Sequence, residues 1–514
     1  MLQLHQRFIQ VAKKTPDNIA VYDKATDKDY TYGRLLIASL IIKEHIGKIK
    51  GRYVGILLPT SVGCMLGILG SLMSGKIPVM INYSTGAIEN CRYAREKCGF
   101  KTILTSKKLL DRLKLQPIDH MIFVEDILAK VTTLAKIKAA MLSKLPFIVL
   151  KGLVHSGPLS EISVILFTSG SEKEPKAVQL SHRNILHNID AVPKLVRLDH
   201  TDVFMCMLPL FHVFGLTTNF WLPLLLGSSL IAHPNPLEFK TISDLARQYR
   251  ITFMTATPSF FYGYLQKSTP GDFASIRFAI AGADRLPEKV CEGFEKKHNI
   301  TIYEGYGTTE TSPVISTNYP GVYKPGSVGK PIPGVEVRIL DIDTDRILGT
   351  NQEGKIQVRG DMVMEGYLGD IEETTLRIRN GWYDTGDIGM LDDDGFLWHR
   401  GRLKRFVKVG GEMVSLVQVE DVLGQLLPED VICCVVDIPN PTKGADVVAA
   451  VANGNFDMHK VMRQLKKKLP SIAIPRQFYV IEDIPMMASG KVNFRAVEKI
   501  CRDRSFNEKE RKHK

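Results

Sequence analysis

The stretch ILFTSGSEKEPKAVQLSHRN, Ile165 to Asn184, decides how this chain is to be read. An apolar run, Val164 to Phe167, leads into Thr168, Ser169, Gly170 and Ser171, and a lysine follows at Lys176. The pattern predicts a strand feeding a loop able to wrap a polyphosphate. Gly170 lets the backbone approach closely, the three hydroxyls can donate to phosphate oxygens, and Lys176 brings a point charge. A plain Ser/Gly-rich turn is the competing reading. The loop is not the G-x-x-x-x-G-K-[ST] of a P-loop NTPase, because Pro175, Lys176 and Ala177 stand where the second glycine, lysine and magnesium-binding hydroxyl would fall.

Composition bounds what surrounds this loop. The 514 residues exceed one core and suit two or three domains. With 44% hydrophobic and 24% charged residues and no repeat, the chain is globular. A net charge of +12 favours acidic partners, but no basic stretch is interleaved with aromatics, so nucleic acid is not expected. Eight scattered cysteines without C-x-x-C read as reduced thiols in a cytoplasmic protein. The N-terminus has helical spacing and is not a signal peptide. The apolar stretch Val213 to Ala232 is broken by Asn219, Pro223 and Gly227, and predicts a core helix and turn, not a membrane span.

Short apolar runs alternate with helical patterns over the first 400 or so residues, with strand candidates at 53–58, 164–167, 203–208, 251–256 and 276–281. That alternation predicts an α/β architecture of layered, mainly parallel sheets. Beyond Arg402 a hairpin-like stretch, a helix and further strands predict a small α+β domain. The expected division is 1–403 and 404–514. Ile127 to Lys151 carries five lysines and no acid, with Leu128, Val131, Leu134, Leu142 and Leu145 roughly on one helical face until Pro146. This basic amphipathic helix reads either as a surface helix packed on its own domain or as a contact for a helical partner or for anionic membrane at the inner face.

Three further segments accompany the loop: YGTTE at Tyr306 to Glu310, YDTGD at Tyr383 to Asp387 with GRLKR at Gly401 to Arg405, and SGK at Ser489 to Lys491. In this order and at these separations they resemble the adenylate-forming superfamily of acyl-CoA synthetases, luciferases and peptide-synthetase adenylation domains, over about Phe8 to Val497. The resemblance implies ATP and magnesium as cofactors and an acyl-adenylate intermediate. It assigns Thr168, Ser169, Gly170, Ser171 and Lys176 to the β- and γ-phosphates, Glu310 with Thr168 to magnesium, and Thr309 to the α-phosphate. Tyr306 would stack on adenine beside Gly282, Ala283, Glu304 and Gly307, while Asp387 would take the ribose and Arg402 the ribose or a phosphate. Lys491 matches the lysine bridging carboxylate and α-phosphate, brought in by rotation about a hinge at Lys404. His212, in PLFHVFG, matches a position at the mouth of the acyl site, or is a packed core histidine.

GRLKRFVKVGGEMVSLVQVE, Gly401 to Glu420, resembles the bacterial acyl carrier protein synthetase branch, the activity found in the bifunctional 2-acylglycerophosphoethanolamine acyltransferase/acyl-ACP synthetase. Glu172, where many relatives have threonine, points the same way. With no acyltransferase domain ahead of the motifs, a stand-alone ligase joining long-chain fatty acid to holo-acyl carrier protein is expected. A long-chain acyl-CoA synthetase and a non-catalytic sensor of the same fold are the alternatives. Lys173 and Ala177 depart from the glycines usual at those positions.

Overall fold

The computed structural model describes residues 1–168, 175–410, 412–428, 431–440, 443–452, 456–486 and 492–512. They fall into two compact units. The first comprises Met1 onward, Pro175–Val337 and Val358–Tyr383, and the second Arg338–Gln357 and Asp384 onward.

Among the described residues the first unit holds two large sheets. In one, Val203–Cys206, Phe253–Ala256, Phe278–Ala281 and Ile302–Gly307 run parallel side by side. The first three are apolar almost throughout, as parallel strands covered on both faces must be, whereas Ile302–Gly307 is half-buried beyond Ile302. Packed on them are Phe260, Phe261, Tyr264, Phe273 and Phe294, whose rings are almost wholly buried and meet edge-on or stacked. In the other sheet Tyr53–Ile56, Ile77–Met80 and Ile162–Phe167 are joined by the short strand Ala177–Ser181, antiparallel to the last of them. All five expected strands are present: four are trimmed by two residues at one end, and 164–167 is extended to Ile162–Phe167. The α/β reading is borne out.

Local chemistry sets the helix starts. Ser181 caps the helix His182–Val196 by accepting from Asn184 N, while the Asn184 side chain accepts from Ser181 N. Thr257 caps Pro258–Lys267, whose first residue is the proline that a first helical turn favours. Val213 to Ala232 forms a buried wide-turn helical segment, Gly215–Trp221, then the helix Leu222–Leu226, the turn residue Gly227 at φ +84°, and the strand Ser229–Ala232. Among the described residues no helix is long and apolar enough to cross a membrane.

Ile127 to Lys151 differs from the one helix expected ahead of Pro146. It contains the end of Val124–Ala129, then Thr133–Lys144 and Phe147–Leu153. Thr132 starts the second by accepting from Ala135 N, and Pro146 starts the third. Both residue types favour a new helix start over a continuing helix.

In the second unit Trp382–Leu391, from Asp384 on, pairs antiparallel with Leu397–Arg402. A hairpin follows, Phe406–Val409 with Glu412–Ser415. Then come the strands Cys433–Asn440, Gly444–Ala452 and Gln477–Ile481, with the helices Leu416–Leu426, Met458–Lys468 and Phe494–Lys512. All eight cysteines are free, as expected.

Candidate active site

The loop stem is built first. Thr168 N donates to Lys176 O at 3.0 Å, and Lys176 N donates back to the Thr168 hydroxyl at 3.0 Å. Tyr93 braces the same stem, its hydroxyl donating to Pro175 O at 2.7 Å and its ring lying edge-on to Phe167. Ser169, Gly170 and Ser171 lie outside the described residues, as do Glu172 and Lys173. Ala177 is a buried strand residue opposite Phe167, its carbonyl accepting from Leu368 N.

The Lys176 side chain leads to residues the sequence did not single out. Its Nζ pairs with Glu373, which also pairs with Arg377 at 3.0 Å, and lies 4.9 Å from the centre of the Tyr367 ring. The Tyr367 hydroxyl donates to Glu310 Oε1 at 2.8 Å. Burial first, and the neighbouring Glu310 carboxylate second, push the Tyr367 phenol far above its ordinary value, so it stays a donor. Two positions 134 residues apart, Lys176 and Glu310, thus share one tyrosine.

Glu310 sits in a short turn, Thr309–Thr311, fixed at both ends. Thr308 and Thr311 bond reciprocally, Glu310 O accepts from Met364 N at 2.8 Å, and Asn188 donates to Thr311 O while accepting from Val314 N. Gly307 permits the turn: a Cβ there would lie 1.8 Å from Pro313 O. Asn184, one turn before Asn188, donates to Asp361 O and Val363 O. The helix His182–Val196 therefore positions both the Glu310 turn and the segment that delivers Tyr367. Glu310 is nine-tenths buried, Thr309 half-buried.

Gly282, Ala283 and Glu304 to Gly307 gather where the adjacent parallel strands Phe278–Ala281 and Ile302–Gly307 end, with Ala281 opposite Glu304. Carboxyl ends of parallel strands are the usual ligand side of an open sheet. A Cβ on Gly282 would meet the Phe214 ring at 3.2 Å and Gly305 O at 3.5 Å. Ala283 takes φ +73°, a left-handed turn unusual for alanine. Glu304 Oε1 accepts from Leu286 N, and Tyr306 is half-buried. His212 is half-buried in the segment after Val203–Cys206, its N–H donating to Pro209 O.

In the second unit Asp387 is buried directly across from Arg402, with Arg402 Nε 3.6 Å from Oδ1 and His399 Nε2 3.7 Å from Oδ2. Lys404 is exposed in the short turn Leu403–Arg405. Arg405, by contrast, is tied into the following strands and helices. It donates to Val435 O at 2.7 Å and Glu420 at 2.9 Å and stacks on Phe494 at 4.0 Å. Lys491 lies outside the described residues.

A magnesium ion bound through phosphates asks the protein for one or two oxygen ligands. Glu310, a buried carboxylate anchored by one phenol, fits that demand. Among the described residues there is no cluster of three or more His, Cys, Asp or Glu that would suit a metal held by protein alone.

Residues 8–368 match the AMP-binding enzyme family, and residues 418–491 match the AMP-binding enzyme C-terminal domain. The chain belongs to the AMP-binding enzyme family. The adenylate-forming resemblance is thereby borne out; its acyl carrier protein branch is not distinguished. The chain is 27% identical to 4-coumarate-CoA ligase 1 of Narcissus pseudonarcissus, over 96% of this chain and 92% of that one. It is likewise 27% identical to a long-chain-fatty-acid–CoA ligase of Bacillus subtilis, over 94% and 91%. The fold matches ATP-bound MatB from Rhodopseudomonas palustris with a TM-score of 0.84 at 23% identity, covering 98% of this chain and 99% of that one. It also matches the o-succinylbenzoate CoA synthetase of Bacillus subtilis bound to its acyl-adenylate, with a TM-score of 0.83 at 23% identity over 96% and 98%.

Proposed function

We propose that this chain is an AMP-forming acid–thiol ligase that activates long-chain fatty acid and transfers it to the thiol of acyl carrier protein. The observation that carries the ligase reading is the connection Lys176–Tyr367–Glu310: a cation and a carboxylate suited to a nucleotide's phosphates and their magnesium are held by one buried phenol.

A carboxylate is a poor electrophile because its leaving group would be oxide. Attack of its oxygen on the α-phosphorus of ATP releases pyrophosphate and leaves an acyl-adenylate, from which a thiol displaces AMP. The protein's task is alignment and charge neutralisation. Lys176, with Thr168, Ser169, Gly170 and Ser171, would hold the β- and γ-phosphates after exchanging its Glu373 partner for them. Glu310 and Thr168 would hold magnesium, which when bound neutralises phosphate charge. Thr309 would reach the α-phosphate. Tyr306, Gly282, Ala283, Glu304 and Gly307 would receive the adenine, and Asp387 with Arg402 the ribose. Lys491 would bridge the attacking carboxylate and the α-phosphate, with Lys404 the hinge that later withdraws it, so the functional boundary we propose is 1–403 and 404–514. His212 would border the acyl entrance.

Acyl carrier protein as acceptor rests on the Gly401 to Glu420 sequence and on a basic surface that would steer an acidic carrier; Lys466, Lys467 and Lys468 end one helix of the second unit. The second reading, coenzyme A as acceptor, is favoured by the names of the relatives above. Palmitate, ATP and magnesium with either holo-acyl carrier protein or CoA separate the two. Thioester on the carrier protein supports the proposal, and thioester on CoA alone replaces it with the second reading. No AMP with either thiol overturns the ligase.

A further inference from the structure

The segment from Val124 to Leu153 turns its apolar side chains outward. In the helix Thr133–Lys144, Ala139 is buried, whereas Leu134 and Met141 are 75% and 68% exposed and Ile137 is also exposed. At roughly 100° per residue, positions 134, 137 and 141 share one face and Ala139 lies opposite. The helix therefore lies on the body by its small side, and its large aliphatic side faces water. The next helix repeats the arrangement: Leu150 is buried while Ile148, at 81%, is exposed together with Val149 and Leu153.

The segment is firmly attached. Lys13 Nζ donates to Ser143 O at 2.9 Å and Lys43 Nζ to Leu153 O at 2.7 Å, tying it to the helices Leu4–Lys14 and Tyr32–Ile46. Its exposure is therefore a property of the docked helices. Contiguous exposed apolar patches mark interaction surfaces.

Charge says which kind. Lys130, Lys136, Lys138, Lys144 and Lys151 accompany the stripe, and no acidic residue occurs between Asp126 and Glu161. Lys138 and Lys144 flank the 134–137–141 face on either side, where their ammonium heads can rise past the aliphatic layer to a plane of negative charge. Protein interfaces favour Trp, Tyr and Arg and are depleted in Lys. From Ile127 to Leu153 there is no Trp, Tyr or Arg. An exposed aliphatic face flanked by lysines matches a fluid anionic surface better than a shaped protein pocket.

We infer that the outward faces of Thr133–Lys144 and Phe147–Leu153 seat this chain on an anionic lipid bilayer, the aliphatic side chains entering the headgroup boundary and the lysines meeting lipid phosphates. The surface does not depend on the ligase reading, and its test does not use activity.

Co-sedimentation of the full chain with vesicles of phosphatidylcholine alone, and of equimolar phosphatidylcholine and phosphatidylglycerol, tests it. Binding is expected on the mixed vesicles and not on the neutral ones. Lys130→Ala/Lys138→Ala/Lys144→Ala should weaken it roughly hundredfold, since each surface lysine contributes about fivefold. Leu134→Ser/Ile137→Ser/Met141→Ser should abolish it with no loss of thermal stability, because these side chains are exposed. Wild-type protein that ignores mixed vesicles, or variants that bind as the wild type does, overturn the inference. A wild-type dimer that the serine variant converts to monomer, without vesicle binding, assigns the face to a second copy instead.

Discussion

Replacing Tyr367 by phenylalanine deletes one oxygen atom and leaves the ring against Lys176, where the cation sits 4.9 Å from its centre. What disappears is the 2.8 Å hydrogen bond to Glu310, a carboxylate nine-tenths buried. A hydrogen bond to a charged group contributes about 1.5–3 kcal/mol, a neutral one about 0.5–1.5 kcal/mol. Tyr367→Phe should therefore destabilise the first unit by about 2 kcal/mol. In a Glu310→Gln background, where the acceptor is an uncharged amide oxygen, it should cost about 1 kcal/mol. The expected coupling in this double-mutant cycle is about 1 kcal/mol. Urea unfolding of the four proteins, followed by intrinsic fluorescence, measures it. The phenol's folded value is raised above its unfolded one, first by burial and then by Glu310. Its contribution is therefore full below about pH 10 and is lost as pH climbs beyond, so the phenylalanine variant should lose stability less steeply in alkali. Equal costs of Tyr367→Phe in both backgrounds would refute the claim that this phenol anchors the ionised carboxylate.

His5 is buried and bonded to His155 O, and burial, the largest cause, lowers it to about 4. The unfolded chain binds this proton near pH 6.5 and the folded chain does not. Stability should fall as pH drops from about 6.5 to 4, and His5→Gln should flatten that slope by up to one proton in pH-dependent unfolding. Gly307→Ala would place a Cβ 1.8 Å from Pro313 O. It should lower stability by more than about 2 kcal/mol in a thermal melt and disturb the Glu310 turn. Glu373→Gln removes the carboxylate paired with Lys176. With the lysine released, the KM for ATP should fall roughly fivefold while kcat holds, about 1 kcal/mol of competing ion pair at this partly exposed site; initial rates against ATP concentration check it.

Much of the architecture was legible because covered parallel strands read as short continuous apolar runs, and Val203–Cys206, Phe253–Ala256 and Phe278–Ala281 do so plainly. Strand ends were less so, since an apolar residue such as Ile251 or Ile276 can close a turn as readily as start a strand. Within the site, Glu310 and Lys176 were legible because a hydroxyl-rich loop and a YGTTE segment carry their chemistry locally. Tyr367, Glu373 and Arg377 were not: Tyr367 and Glu373 reach Lys176 from about 190 residues downstream, Arg377 holds Glu373, and the short pairing of Gly366–Tyr367 with Val178 and Gln179, together with the bonds from Asn184 to Asp361 and Val363, brings them there. Asn184 and Asn188, four residues apart, look like the polar side of an amphipathic helix, yet both are buried and hold two other segments. The Ile127 to Lys151 stripe shows the limit of periodicity. A 3.6-residue repeat puts Leu128, Val131, Leu134, Leu142 and Leu145 on one face, but the helices pack by Ala139 and Leu150, and the outward large apolar residues of Thr133–Lys144 are Leu134, Ile137 and Met141, with Val131, Leu142 and Leu145 only partly exposed.

The central claim is that this chain joins a carboxylate to AMP, and palmitate-dependent exchange of labelled pyrophosphate into ATP tests it most directly. The account predicts magnesium-dependent exchange by the wild type, none by Glu310→Ala, and none by Lys491→Ala even though that variant still converts supplied palmitoyl-adenylate to thioester. Wild-type protein that binds ATP yet catalyses no exchange with palmitate or any other carboxylic acid would contradict it.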